Sequence, residues 1–282
     1  MDQGGAAGAA PRLAAEPVVE WSDASLRFGS RRLWSGLTLQ VFPGEFLAVL
    51  GANGSGKTTL LKTVLGLQPL SSGSLLVAGR PVRRGSREIG YVQQQRRLDP
   101  LAPMRARDLV RLGLDGHRWG IGLPGSNTTQ RVEQALAAVD AAAYADMPTG
   151  LLSGGEQQRV RIAQALVSDP RLLLCDEPLL SLDLSSQRAL TGLIDRRRRT
   201  EDTAVVFVTH EINPVLPYVE RVLYLAGGRF RIGTPDEVLN SSTLSDLYRA
   251  PVEVIRAGGR ILVAGVPDNP ETSHHLDEAE LP

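Results

Sequence analysis

The sequence predicts an α/β fold with a mostly parallel sheet, an antiparallel β-subdomain on the N-terminal side and a helical insertion. Three observations point to it. Short, largely apolar runs at 46–50, 171–175 and 203–209 read as buried strands, and helical stretches alternate with them. From 18 to 41 the pattern is strand-like and is broken by Gly29-Ser30 and Ser35-Gly36. From about 95 to 165 helical spacing dominates instead.

Taken in order, residues 1–16 are Gly/Ala-rich and read as a disordered leader. The strand at 46–50 runs through a glycine-rich loop into a helix at 60–65, and short strands follow at 74–78 and 89–93. The insertion carries helices at 105–113 and 129–139, separated by a Gly-rich stretch at 116–126. Beyond Pro235 come two short helices, then a hairpin of 252–256 and 260–264 across Ala257-Gly258-Gly259. Residues 267–282 are polar and acidic and read as a flexible tail. No long internal repeat is present.

The 282 residues suit one large domain or two small ones. Formal net charge is zero, so composition offers no electrostatic case for nucleic acid. Cys175 is the single cysteine, which excludes an intrachain disulfide and is consistent with a reducing interior. The longest apolar runs are too short to cross a bilayer, and the start lacks a basic and apolar signal. A soluble chain is expected, with any membrane role exercised through a partner.

The most specific stretch is Gly51-Ala52-Asn53-Gly54-Ser55-Gly56-Lys57-Thr58-Thr59, which fits the phosphate-loop pattern between a strand and a helix and predicts a P-loop NTPase core. Its glycines let successive N–H groups turn inward at a phosphate, and the new helix adds its positive end. Lys57 would neutralise the outer phosphates and Thr58 would hold Mg²⁺. Lys57 and Lys62 are the only lysines, so a lysine at this position is informative. The plainer reading is a glycine-rich turn before an ordinary helix.

Leu172-Leu173-Leu174-Cys175-Asp176-Glu177 is an apolar strand that ends in two carboxylates. A buried strand is a costly place for acid unless a cation or water waits there. Asp176 would complete the Mg²⁺ shell through water and Glu177 would take the proton of an attacking water. The alternative is an N-cap for the next helix. In Leu152-Ser153-Gly154-Gly155-Glu156-Gln157-Gln158-Arg159, Ser153 and Glu156 form a capping box, and the glycines expose N–H groups at a helix start. The alternative there is simply a well-capped helix.

With both motifs in hand, the chain resembles the ATP-binding subunit of an ABC transporter over about 18–264, giving one ATPase domain at 17–266 with its helical subdomain at about 95–165. The resemblance implies ATP and Mg²⁺ as cofactors and a head-to-tail homodimer. In that dimer Ser153, Gly154 and Gly155 of one protomer cap the γ-phosphate on the partner's P-loop. It also implies that Phe28 stacks on adenine, where the plain alternative is a core strand residue. Gln94, or its neighbour Gln93, matches the glutamine that touches Mg²⁺ and signals to the membrane subunit. Ser181-Leu182-Asp183 resembles the loop passing between the two sites, and His210 matches the histidine that bonds the γ-phosphate. Partners would be integral membrane permease subunits and, indirectly, an external solute-binding protein, with no nucleic acid. The chain would sit at the cytoplasmic face of the membrane and dock through about 95–114.

The stretches 96–103, 105–113, 211–215, 247–248, 252–255 and 259–263 are further similar to ATPases of manganese, zinc or iron-type importers. A different solute, a DNA-repair or translation-associated ABC ATPase, and a regulator without turnover are the alternatives. One P-loop, one signature and no sustained heptads favour transport over the repair and translation types. The run Arg196-Arg197-Arg198-Arg199 follows a helix and is read as complementing its dipole. His274-His275 is read as solvated tail rather than a metal sensor.

Overall fold

The computed structural model describes residues 15–94, 104–115 and 126–265. The expectations for most of the leader, for the Gly-rich stretch, for part of the docking segment and for the tail with its two histidines lie outside the described residues.

The chain opens with β1 (Val19–Phe28) and β2 (Arg31–Val41), followed by β3 (Phe46–Gly51), α1 (Lys57–Val64), β4 (Ser72–Val77), β5 (Arg80–Pro81) and β6 (Ile89–Val92). The helical region holds α2 (Ala106–Asp115), α3 (Ser126–Ala138) and α4 (Gly154–Leu166). After it come β7 (Leu172–Asp176), α5 (Leu184–Glu201), β8 (Ala204–Val208), β9 (Arg221–Ala226) and β10 (Arg229–Gly233). The chain closes with α6 (Pro235–Val238), α7 (Ser241–Tyr248), β11 (Glu253–Ala257) and β12 (Arg260–Ala264).

Three sheets result. The antiparallel subdomain has the order β2-β1-β4-β5, the main sheet β10-β9-β3-β8-β7-β6, and β11 pairs β12. In the main sheet every pair is parallel except β9 with β10. The parallel strands are largely apolar because both faces are covered, with Asp176 and Arg221 at strand ends. Phe46, Ala48, Leu173, Cys175 and Phe207 enter one core with α4 and α5. Leu47, Val49, Leu172, Leu174 and Val206 enter a second core with α1 and the antiparallel sheet, around Trp21 and Trp34. A one-residue slip of any strand would exchange the two sets, so register is firmly specified. Cys175 is fully buried, and burial first, then the neighbouring Asp176 charge, pushes its thiol well above the ordinary range.

The arginine run has a role beyond the helix dipole. Arg198 and Arg199 do lie in the last turn of α5. Arg198, however, is buried: it donates to Asp195 at 2.7 and 2.9 Å and to Gly44 O at 2.8 Å, and it pairs with Glu220. This cluster ties α5 to the turn that launches β3. Arg198→Ala would leave Asp195 paired with the exposed Arg199 alone, at 2.9 Å, and a loss of about 1–3 kcal/mol is the expected cost. Urea unfolding reads it, and an unchanged midpoint would contradict the structural role.

Candidate active site

β3 delivers its last residue, Gly51, at φ 142°, against the β9 backbone. A Cβ there would lie 2.1 Å from Leu225 O and 2.9 Å from Ser55 Oγ. Only glycine fits that approach. The chain then curls through Gly54 and Gly56, both with positive φ, and α1 begins at Lys57. Lys57 is buried, and its Nζ donates to Gly51 O at 2.8 Å and Ala52 O at 3.0 Å. Burial lowers its pKa, while the charges of Glu177 and Asp176 oppose that shift. Ser55 Oγ is buried within the loop and has no hydrogen-bond partner among the described residues. Asn53 lies in the turn of this cradle, and Thr59 in the first turn of α1.

Arg31 Nη2 donates to Gly54 O at 3.3 Å, drawing the β1–β2 turn against the loop. Phe28 pairs with Arg31 across that turn and is 49% exposed. The core alternative for Phe28 is therefore set aside, and its ring is accessible to solvent.

The parallel register brings the remaining groups to the same end of the sheet. Asp176 lies opposite Val208, and Val92 opposite Cys175. Asp176 is 2% exposed and accepts from Thr58 Oγ1 at 3.1 Å and from Tyr91 OH at 3.3 Å. Burial raises its carboxyl pKa, and these two bonds pull it back down. Tyr91 is itself pushed well above the ordinary phenol range, by burial first and then by the Asp176 charge. It is thereby held as a donor. Sequence reasoning passed over Tyr91; the available signal was a tyrosine within an apolar strand three residues before Gln94.

Glu177 follows at φ 47°, in the left-handed region that a non-glycine residue enters at some cost, and its N–H donates to Val208 O at 3.0 Å. This turn aims its carboxylate at two partners. Gln94 Nε2 donates to Glu177 Oε2 at 3.1 Å, and His210 Nδ1 lies 3.9 Å from the same oxygen. A cavity of about 200 Å³ opens beside Glu177, Ser181, Thr209 and His210. Neither carboxylate caps the following helix, since Asp183 does so by accepting from Ser186 N at 2.9 Å. Hydrogen bonds from Ser185 and Ser186 hold the Asp183 carboxyl far below the usual range.

The second motif forms the capping box. Ser153 N donates to Glu156 Oε2 at 2.8 Å, and Glu156 N donates back to Ser153 Oγ at 3.4 Å. Ser153 and Gly154 are exposed, and a Cβ on Gly155 would sit 3.3 Å from Ser186 Oγ. The helix start thus rests on the first turn of α5, next to the Ser181–Asp183 loop. Among the described residues, no hydrogen bond joins Ser153, Gly154 or Gly155 to the phosphate loop. One chain therefore presents two separate helix starts suited to anions.

A family model described as ABC transporter matches residues 34–180. The zinc import ATP-binding protein ZnuC of Yersinia pestis bv. Antiqua (strain Antiqua) is 38% identical over 221 residues, which is 78% of this chain and 81% of that protein. The protein of the same name from Yersinia pseudotuberculosis serotype I is 39% identical over 74% of this chain and 76% of its own length. Among solved structures, one assigned to a metal-chelate type ABC transporter, in an inward-facing conformation, superimposes with a TM-score of 0.75 at 28% identity, covering 91% of this chain and 99% of its own. A dimeric ATP-binding cassette bound to ADP and Pi superimposes with a TM-score of 0.65 at 28% identity, covering 77% of this chain and 98% of its own.

Gly51→Ala should strain the loop by about 1–3 kcal/mol and weaken nucleotide binding ~10–100-fold. Gly79→Ala, where a Cβ meets nothing within 4 Å, is the control and should bind normally. Titration with a fluorescent ADP compares them, and equal affinities would show that the close approach at Leu225 is unimportant.

Proposed function

The chain belongs to the ABC transporter family, and from that premise we propose that its ATP turnover drives the uptake of a divalent metal ion, zinc foremost, through a partner permease. As a member of the family it is an ATPase and a transporter subunit. The observation that carries the catalytic part is the convergence of Gln94, Glu177 and His210 at the end of β7, one residue from Asp176. The metal cargo is supported by the names of the relatives, zinc import ATP-binding proteins. No described helix is long and apolar enough to cross a membrane. On family membership, the translocation path would be the permease's and this chain would sit against its cytoplasmic face.

Thr58 Oγ1 and Asp176 Oδ1 face each other across 3.1 Å, and such an oxygen pair suits a hard cation. Mg²⁺ held there, with Gln94 as a further ligand, would offset charge on the β- and γ-phosphates. The chain's own groups would do the rest. Lys57 exchanges the carbonyls of Gly51 and Ala52 for phosphate oxygens, and the loop N–H groups from Asn53 to Thr59 wrap the anion. Phe28 stacks on the base. Glu177 accepts the proton of the attacking water, while His210 orients the γ-phosphate from beyond it. Ser153, Gly154 and Gly155 of one protomer close on the nucleotide held by its partner, so a head-to-tail dimer supplies both helix starts to each ATP.

Cells lacking the native subunit should regain radioactive zinc uptake with the wild-type chain and not with Lys57→Ala; uptake restored by both would refute the proposed coupling. Glu177→Gln should retain ATP, accumulate as dimer in size-exclusion chromatography and lose ~10²–10⁴-fold in phosphate release. Turnover at the normal rate would remove Glu177 from the mechanism. Tyr91→Phe should raise the half-saturating Mg²⁺ concentration ~3–10-fold and cost about 1–3 kcal/mol of fold stability, as loss of one hydrogen bond to a buried charged group predicts. An unaltered Mg²⁺ requirement would make Tyr91 a packing residue only.

A further inference from the structure

We propose that the protein carries a second anion site, at the opposite end of the main sheet from the phosphate loop, which takes a small polyphosphate group. The strands that carry Tyr91 and Asp176 near their carboxyl ends open, at their amino ends, onto a concavity of about 680 Å³. That size falls in the range of about 300–1,000 Å³ usual for small-molecule pockets. Arg80, Arg83, Arg84 and Arg87 come to it from β5 and the loop that follows, and Arg171 from the residue before β7. Glu88 is the one carboxylate among the lining residues, so five cations against one anion leave a formal charge of +4. The chain as a whole has 31 basic and 31 acidic residues, so this excess is local.

The site is built rather than loose. Ala78 and Gly79 both take positive φ in the turn that sets Val77 opposite Arg80. Arg84 Nε donates to Gly66 O at 3.0 Å, pinning the loop to the end of α1. Glu88 N donates to Ser86 Oγ at 3.3 Å, and Leu172 N to Glu88 O at 3.0 Å. The guanidinium groups of Arg80, Arg83 and Arg171 have no hydrogen-bond or ion-pair partner among the described residues. Gathering like charges opposes folding unless an anion relieves it, and the guanidinium fork matches phosphate oxygens bidentately. Val64, Val77, Val82 and Ile89 line the same concavity with apolar surface. The ligand chemistry is therefore a short polyphosphate, free or as the tail of a nucleotide whose base covers that wall.

Isothermal titration of inorganic tripolyphosphate into the full chain tests the site, with one equivalent of Mg-AMP-PNP per protomer to fill the phosphate loop and no excess nucleotide to occupy a second site. One further binding event per protomer is expected. The double variant Arg83→Gln/Arg171→Gln should weaken it about tenfold or more through loss of charge-assisted bonds, with AMP-PNP affinity unchanged and the Tm of the anion-free chain equal to or above that of the wild type. Arg80→Gln alone gives a second reading should the double variant fold poorly. Absence of the extra event, or equal affinity in the variants, would overturn the proposal. With Lys57→Ala, which cripples the phosphate loop, ADP binding tighter than pyrophosphate would assign a nucleotide; equal binding would assign the inorganic anion; either upholds the site.

Discussion

The hydrogen bond from Thr58 to Asp176, 3.1 Å long, joins the first turn of α1 to the end of β7. Around it the chain resolves a conflict that its own sequence creates. A strand buried on both faces cannot end in a carboxylate without compensation, because the charged form loses its water. Thr58 and Tyr91 each supply a donor to a separate oxygen of Asp176. The compensation reaches across the sheet, so the phosphate loop, β6 and β7 are placed with respect to one another by one acid. Lys57 belongs to the same arrangement, since the nearby carboxylate charges favour its ammonium against its burial.

From that anchor the register of the parallel strands decides what else arrives. Gln94, Glu177 and His210 each lie just beyond the end of a different strand, and the strands are adjacent in the order β6, β7, β8. No loop needs to be long to gather them. The left-handed turn at Glu177 adds the final reorientation, lifting its carboxylate out of the strand's alternation toward Gln94 and His210. The helical region contributes nothing to this cluster directly. It contributes the second helix start, capped by its own Ser153–Glu156 box and leaning on the helix that follows the cluster.

Much of this was readable from the residues because the signals were local. The strand before the phosphate loop, the strand ending in Asp176 and the capping box all lie within a few consecutive positions, and each formed where the pattern placed it, to within two residues. What stayed hidden depended on distant partners. Tyr91 meets Asp176 across 85 positions, and no periodicity reports that. Four identical arginines in a row carry no mark of which one turns inward, yet Arg198 is buried against Gly44, 154 positions away. The basic concavity needs Arg171 beside a loop that precedes it by a whole helical region. The N-cap reading of Asp176 and Glu177 failed for a related reason: the helix starts only at Leu184, after a turn that belongs to the site.

The sole thiol of the chain, Cys175, sits fully enclosed between two cores, shielded from solvent and held protonated. Alkylating reagents have no route to it while the protein is folded. A spectroscopic label could therefore be placed anywhere on the surface by adding one cysteine, with no native residue to remove first. Distances between labelled copies would then report whether and how two copies associate, in otherwise unaltered material.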